Sequence, residues 1–164
     1  TDRSGKPRRR PLTRVVLDER LQTSSDSQLV RTTNEAPLLI FAGESFDRTM
    51  AEALQSRGVE IVSDQLKGRD FLVILEELGR RTFQSVFVEG GASVAGKLVD
   101  AGLVNKVTFF LAPLIVGGRD APSAIGGHGA DKLIDAFALE DVEVVPRGRD
   151  IEVTGYPAKA RDSE

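Results

Sequence analysis

The sequence predicts an α/β fold, with a mainly parallel sheet flanked by helices and a C-terminal antiparallel hairpin. The first observation is a series of short apolar runs that are typical of buried strands; they lie at 14–18, 38–42, 59–62, 85–88 and 107–111. The second is that helix-like segments separate most of these runs, an alternation that favours parallel strands covered on both faces. The third is the segment "LEDVEVVPRGRDIEVTGYP", whose two strand-like halves flank an Arg147–Arg149 turn and predict the hairpin.

Three helices are predicted from their caps, their apolar spacing and their glycine stops. The first has Ser45 as its N-cap and stops at Gly58, the second begins at Asp70, and the third stops at Gly102. Residues 114–131 are predicted to form a glycine-rich loop.

Composition limits the possible functions. At 164 residues, with 40% hydrophobic and 29% charged residues, the chain has the size and composition of one globular domain. No apolar run approaches the ~20 residues that span a bilayer and no signal peptide is evident, so we expect a cytoplasmic protein without a membrane partner. The net charge of −3 argues against nucleic-acid binding. With no cysteine and a single histidine, His128, no metal site is predicted, and His128 is given no role.

The strongest functional signal is a strand that runs directly into Glu89, Gly90 and Gly91 and then into a helix. Open α/β sheets bind ligands at the carboxyl ends of their strands, where a helix N-terminus offers unpaired N–H groups. Glycine allows positive φ and close approach of the backbone. Ser93 adds a hydroxyl and Lys97 a positive charge one turn on. We therefore predict that the turn holds a cofactor phosphate beside a substrate-holding acid.

Both features have a plainer interpretation. Two glycines before a helix also occur where a helix packs tightly on a sheet, and this stretch matches neither the GxGxxG fingerprint nor the P-loop. Glu89 could equally be a surface acid at a strand end. Gly117 and Gly118 could make room for a nicotinamide or substrate ring, or could end a strand.

The stretch "VFVEGGASVAGKLVDAGLVNKVTFFLAPLIVGG", followed by "DAPSAIGGHG", closely resembles the reductase domain of the bifunctional riboflavin-biosynthesis deaminase/reductase. "RVVLD" at 14–18 and "GRDIEVTGYP" at 148–157 also fit, so the resemblance covers essentially the whole chain. It implies a dihydrofolate-reductase-like fold and a homodimer. It also implies an NADPH-dependent reductase that acts on the ribosyl group of 5-amino-6-(5-phosphoribosylamino)uracil.

The resemblance also implies roles for particular residues. Glu89 corresponds to the substrate-binding glutamate of the family, and Arg3 to an arginine that holds the substrate phosphate. Glu19 corresponds to a cofactor contact that is often serine, and a carboxylate there would repel a cofactor phosphate. The segment that wraps the NADPH diphosphate, taken with the glycine before it, comprises Gly90, Gly91, Ala92, Ser93, Val94, Ala95, Gly96 and Lys97. No catalytic acid is identified.

By the same resemblance, the chain corresponds to the C-terminal two-thirds of one reductase domain, with residues 1–13 as a basic loop. The first strands of the family fold are expected to precede it, and in the family a zinc-dependent deaminase domain usually precedes those strands. Two other functions stay open: a dihydrofolate-reductase-like enzyme with another small substrate, and a non-catalytic nucleotide-binding module.

Overall fold

The computed structural model describes residues 11–63 and 70–158, and the chain divides after Phe83 into two compact units. The prediction for Arg3 lies outside these residues, as does most of the predicted basic loop. Among the helices described, none is long and apolar enough to cross a membrane. That the chain is a single reductase domain stays a prediction.

The first unit is built on a parallel sheet. Its strands are β1 (Arg14–Leu17), β2 (Leu38–Ala42) and β3 (Val59–Ser63), in the order β1-β2-β3. All five residues of β2 are buried because the strand is central and covered on both faces. This part of the predicted fold is confirmed.

Helices cover the two faces of β2 separately, because alternate side chains of a strand point to opposite faces. Leu38, Ile40 and Ala42 pack in one cluster with Ala51 and Leu54 of α2 (Arg48–Gln55). On the other face, the cluster contains Leu39, Phe41, Ile74 and Leu78, the last two from α3 (Phe71–Arg80). A short helix that the sequence did not predict, α1 (Gln28–Arg31), contributes Val30 to the first cluster.

The helix caps correct one prediction and match another. Helix α2 is capped by Asp47, whose side chain accepts a hydrogen bond from Thr49 N at 2.8 Å, and not by Ser45. Serine and aspartate are both good N-cap residues. Because α2 begins at Arg48, the N-cap position is Asp47. Asp70 caps α3 as expected, accepting from Leu72 N at 2.9 Å.

The second unit contains α4 (Ala92–Asp100) and an antiparallel sheet of β4 (Val107–Leu111), β5 (Leu139–Arg147) and β6 (Asp150–Pro157). The strand order is β4-β6-β5. The predicted hairpin is confirmed, with Gly148 at φ 67° in its turn. The prediction that β4 continues the parallel sheet is wrong, because β4 pairs antiparallel with β6.

The predicted strand at 85–88 is also wrong. These residues have no regular secondary structure, and Phe87 is 81% exposed. An apolar run favours burial, but a strand also needs a partner for its backbone hydrogen bonds, and none of the described strands pairs with this segment. That the first strands of the family fold are missing from this sequence stays a prediction.

Candidate functional site

The Glu89–Gly91 turn leads into α4, and no side chain caps the N-terminus of this helix, which we call its open end. Gly91 is the N-cap residue, in an extended conformation (φ −72°, ψ 175°), and it provides no side-chain cap. Its carbonyl oxygen accepts hydrogen bonds from Val94 N at 3.0 Å and Ala95 N at 3.1 Å. The N–H groups of Ala92 and Ser93 come before these first helical bonds, so they are the ones that a helix N-terminus offers to a ligand.

The two glycines are needed for different reasons. Neither Gly90 nor Gly91 has a positive φ. The left-handed backbone conformation that the sequence analysis allowed for these glycines is therefore not adopted here. A Cβ on Gly90 would lie 2.7 Å from Cβ of Val94, which no real contact tolerates. A Cβ on Gly91 would meet nothing within 4 Å. Packing within the chain therefore explains Gly90, whereas Gly91 leaves its space open.

The polar side chains of this segment all face the exterior. Glu89, Ser93 and Lys97 are exposed. Ser93 and Lys97 are four residues apart on α4, so they share one face of the helix. A hydroxyl and an ammonium group on the face that begins at an open helix end form a suitable contact surface for an anion.

An adjacent side of α4 is fixed by the segment Gly126–Gly129, which we call the glycine loop. Gly126 N donates to Ala92 O at 2.9 Å, at the start of the helix. Gly96 is buried, and a Cβ there would lie 2.2 Å from the carbonyl group of Gly126. Backbone packing thus explains Gly96, and its predicted part in cofactor binding stays a prediction.

Asp100 holds the far end of the same loop. Its carboxylate accepts from His128 N at 2.7 Å and from Gly129 N at 3.3 Å. The hydrogen bond from His128 N holds the pKa of Asp100 below its usual value. Sequence reasoning missed this residue, although one signal was available: an acid in the last turn of a helix opposes the helix dipole, which indicates a specific partner.

Glu19 belongs to the first unit, directly after β1. It is half-buried, and its carbonyl oxygen accepts from Gly43 N at 2.9 Å. The neighbouring Asp18 ties this loop together by accepting from Thr23 N and Thr23 Oγ1, both at 2.7 Å. Burial raises the pKa of Asp18, but hydrogen bonds from Gln22, Thr23 and Leu21 outweigh it and lower the pKa. The loop at Glu19 is therefore fixed, while its cofactor contact stays a prediction.

The family model of the RibD C-terminal domain matches residues 1–153. The chain belongs to this family. The chain is 34% identical over 154 residues to the riboflavin biosynthesis protein RibD of Bacillus amyloliquefaciens, covering 92% of this chain and 40% of that protein.

A second relative is the 2,5-diamino-6-ribosylamino-4(3H)-pyrimidinone 5′-phosphate reductase of Methanothermobacter thermautotrophicus. It is 32% identical over 146 residues, covering 89% of this chain and 66% of the relative. Among solved structures, RibD of Acinetobacter baumannii matches with a TM-score of 0.71 at 17% identity, covering 88% of this chain and 37% of that one. This likeness confirms the α/β fold of the RibD reductases. A preceding deaminase domain and a cytoplasmic location stay predictions.

The different reasons for Gly90 and Gly91 can be separated by mutation. Gly90→Ala should lower the free energy of unfolding by about 1–3 kcal/mol, because its Cβ overlaps Val94. Gly91→Ala should lower it by less, about 0.5–1 kcal/mol, because its Cβ meets no neighbour but alanine is a poorer N-cap than glycine. Urea denaturation measures both.

Adding Val94→Gly to Gly90→Ala should recover part of the loss, since only glycine at position 94 removes the Cβ that lies 2.7 Å away. If the double variant loses as much stability as the sum of the losses in Gly90→Ala and Val94→Gly, the contact does not explain Gly90.

Proposed function

We propose that this RibD-family chain reduces the ribosyl group of 5-amino-6-(5-phosphoribosylamino)uracil to the ribitylamino product of riboflavin biosynthesis, with NADPH as cofactor. The observation that carries the proposal is the Glu89–Gly91 turn. It places a carboxylate two residues before an open helix end, within the segment that matches the RibD C-terminal domain. The chain spans about 40% of the length of the Bacillus relative, so the activity is proposed for the reductase part alone.

The open end of α4 fits the cofactor diphosphate. Ala92 and Ser93 present N–H groups there, and the helix dipole adds a favourable term of about 0.3–1 kcal/mol for an anion. The open space at Gly91 permits close approach of a phosphate to the backbone. Lys97 supplies a positive charge one turn further on. The role of Glu19 at the same cofactor is proposed only from the family resemblance, and so is the role of Arg3 at the substrate phosphate.

Glu89 fits a substrate that carries hydroxyl groups. Its carboxylate is exposed and forms no hydrogen bond or ion pair with any residue that the structure describes. It can therefore accept hydrogen bonds from an incoming sugar without first breaking contacts in the protein. When bound at the turn, NADPH would supply a hydride for the ribosyl carbon in its imine or ring-opened form. The part proposed for Glu89 is to orient that carbon.

A second substrate follows from the Methanothermobacter relative, whose name specifies a 2,5-diaminopyrimidinone in place of the uracil. The two compounds differ at the pyrimidine ring and share the phosphoribosyl group. A site that binds the sugar through Glu89 would accept both. Comparing NADPH oxidation with each compound decides which one is the better substrate.

Replacing Glu89 with glutamine tests the substrate role. Glu89→Gln should lower turnover by about 100-fold, because the oriented sugar loses its negatively charged acceptor, while NADPH affinity stays within about two-fold. Glu76→Gln, an exposed acid on α3, is the matched control and should leave turnover unchanged.

Single-turnover oxidation of NADPH, measured with saturating substrate, gives the comparison. Unchanged turnover in Glu89→Gln would contradict the proposed role of Glu89 in orienting the substrate. NADPH binding without turnover of either pyrimidine would favour the nucleotide-binding module instead, and turnover of an unrelated heterocycle would favour a different reductase.

A Cβ at Gly91 should weaken cofactor binding, because it fills the open space at the helix end. We expect Gly91→Ala to raise the Kd for NADPH by about ten-fold or more, corresponding to about 1.4 kcal/mol. Gly79→Ala is the matched control, since a Cβ there also meets nothing within 4 Å, but on α3. Fluorescence titration should also show tighter binding of NADPH than of NADH. Equal affinities of Gly91→Ala and the unchanged chain would contradict a diphosphate at this turn.

One face of the β4-β6-β5 sheet supports the proposed homodimer. Leu111 pairs with Ile151, and Val144 lies on the same face; these side chains are 52%, 45% and 60% exposed. Exposed apolar side chains that are contiguous on a sheet are typical of an interface. We propose that a second copy of the chain covers this face.

Introducing a charge on this apolar face tests the dimer. Ile151→Lys should shift the chain from dimer to monomer in sedimentation velocity, because a buried unpaired ammonium group is costly at an interface. Phe110→Lys is the control, since Phe110 is 67% exposed on the opposite face of the same sheet. A monomeric unchanged chain, or dissociation by Phe110→Lys alone, would contradict the proposed interface.

A further inference from the structure

The glycine loop contacts α4 along its whole length. It donates a hydrogen bond from Gly126 N to Ala92 O at the first helical residue, and two from His128 N and Gly129 N to the Asp100 carboxylate at the last. Between them, Gly96 of the helix packs directly on the Gly126 backbone. A loop of four residues thus spans a helix of nine residues from end to end.

Three glycines make this contact possible. Side chains on Gly96 and Gly126 would separate helix and loop, since a Cβ on Gly126 would lie 3.1 Å from Ala92 O. Gly127 has φ 90°, and a Cβ there would lie 2.4 Å from Oδ2 of Asp100. Glycine in a helix interior is also unfavourable by about 1 kcal/mol relative to alanine, so Gly96 is explained by the contact and not by the helix.

The Asp100 side chain accepts the two hydrogen bonds at the C-terminal end of this contact. Its two carboxylate oxygens accept from two successive N–H groups, and charge-assisted hydrogen bonds of this kind are the stronger ones. The position is otherwise unfavourable, because a negative charge at a helix C-terminus opposes the dipole. The carboxylate therefore fits a positioning role better than a role as a general surface acid.

We infer that Asp100 and the glycine loop position helix α4, and with it the cofactor-binding turn at Glu89–Gly91. Asp100 is then a positioning residue: it touches neither cofactor nor substrate, and acts through the placement of the N–H groups at the start of α4. The inference rests on the proposed function for its effect on NADPH, whereas its effect on the helix is independent of any ligand.

Two substitutions give a graded test. Asp100→Ala removes both hydrogen bonds, and Asp100→Asn keeps one acceptor oxygen for a backbone N–H. The control is Thr108→Ala, which removes the 2.9 Å hydrogen bond between the hydroxyls of Thr108 and Thr154, on β4 and β6 of the same unit. It should cause a stability loss of the same kind without loosening the helix.

The first measurement is hydrogen exchange in the full chain without ligand. The amides of Val94 and Ala95, which bond to Gly91 O, should exchange faster in Asp100→Ala, to a smaller extent in Asp100→Asn, and at the unchanged rate in Thr108→Ala. Unchanged exchange at these amides in Asp100→Ala would overturn the inference whether or not the chain binds NADPH.

The second measurement is the Kd for NADPH in the same variants. It should rise roughly 2- to 30-fold in Asp100→Ala, less in Asp100→Asn, and not in Thr108→Ala. Faster exchange with an unchanged Kd would overturn the link between the loop and the cofactor turn. If the unchanged chain binds no NADPH, the proposed function fails and the link fails with it, while the exchange rates still decide whether the loop holds α4.

Discussion

The second unit depends on the close approach of two backbones, that of α4 and that of the glycine loop. Their contact is possible only because Gly96 lacks a side chain, and a side chain on Gly126 would fit there only tightly. Hydrogen bonds at Ala92 and Asp100 then close the contact at both ends of the helix. The proposed anion site is the N-terminal end of this same helix, so its geometry depends on a contact along an adjacent side of the helix.

The first unit depends on a different constraint, the complete burial of β2. Its five apolar residues contact α2 through one face and α3 through the other, and two parallel neighbours satisfy its backbone. Such a strand is recognisable in sequence because both of its faces are apolar. For this reason the strands and helices of the first unit could be predicted closely. The errors were the missed short helix α1 and the N-cap of α2, where Ser45 and Asp47 both suit the position.

The second unit could be predicted less completely. The hairpin was evident because Gly148 and its flanking strands form a local pattern, and α4 was evident from its apolar spacing. Sheet pairing depends on residues far apart in the sequence, so the antiparallel partner of β4 was missed. The segment 85–88 has the composition of a strand, but no described strand pairs with it. Composition alone does not show whether a pairing strand is present.

The candidate site shows the same limit at the level of single residues. Gly90 and Gly91 look equivalent in the sequence, yet packing against Val94 accounts for the first, whereas no packing contact in the described structure accounts for the second. Positive φ, the usual reason for a pair of glycines, applies to neither. Glycine is a favourable N-cap residue, and at this position it also leaves room for a contact outside the chain. Its neighbours at an open helix end indicate the chemistry of that contact, because backbone N–H groups and a lysine favour an anion.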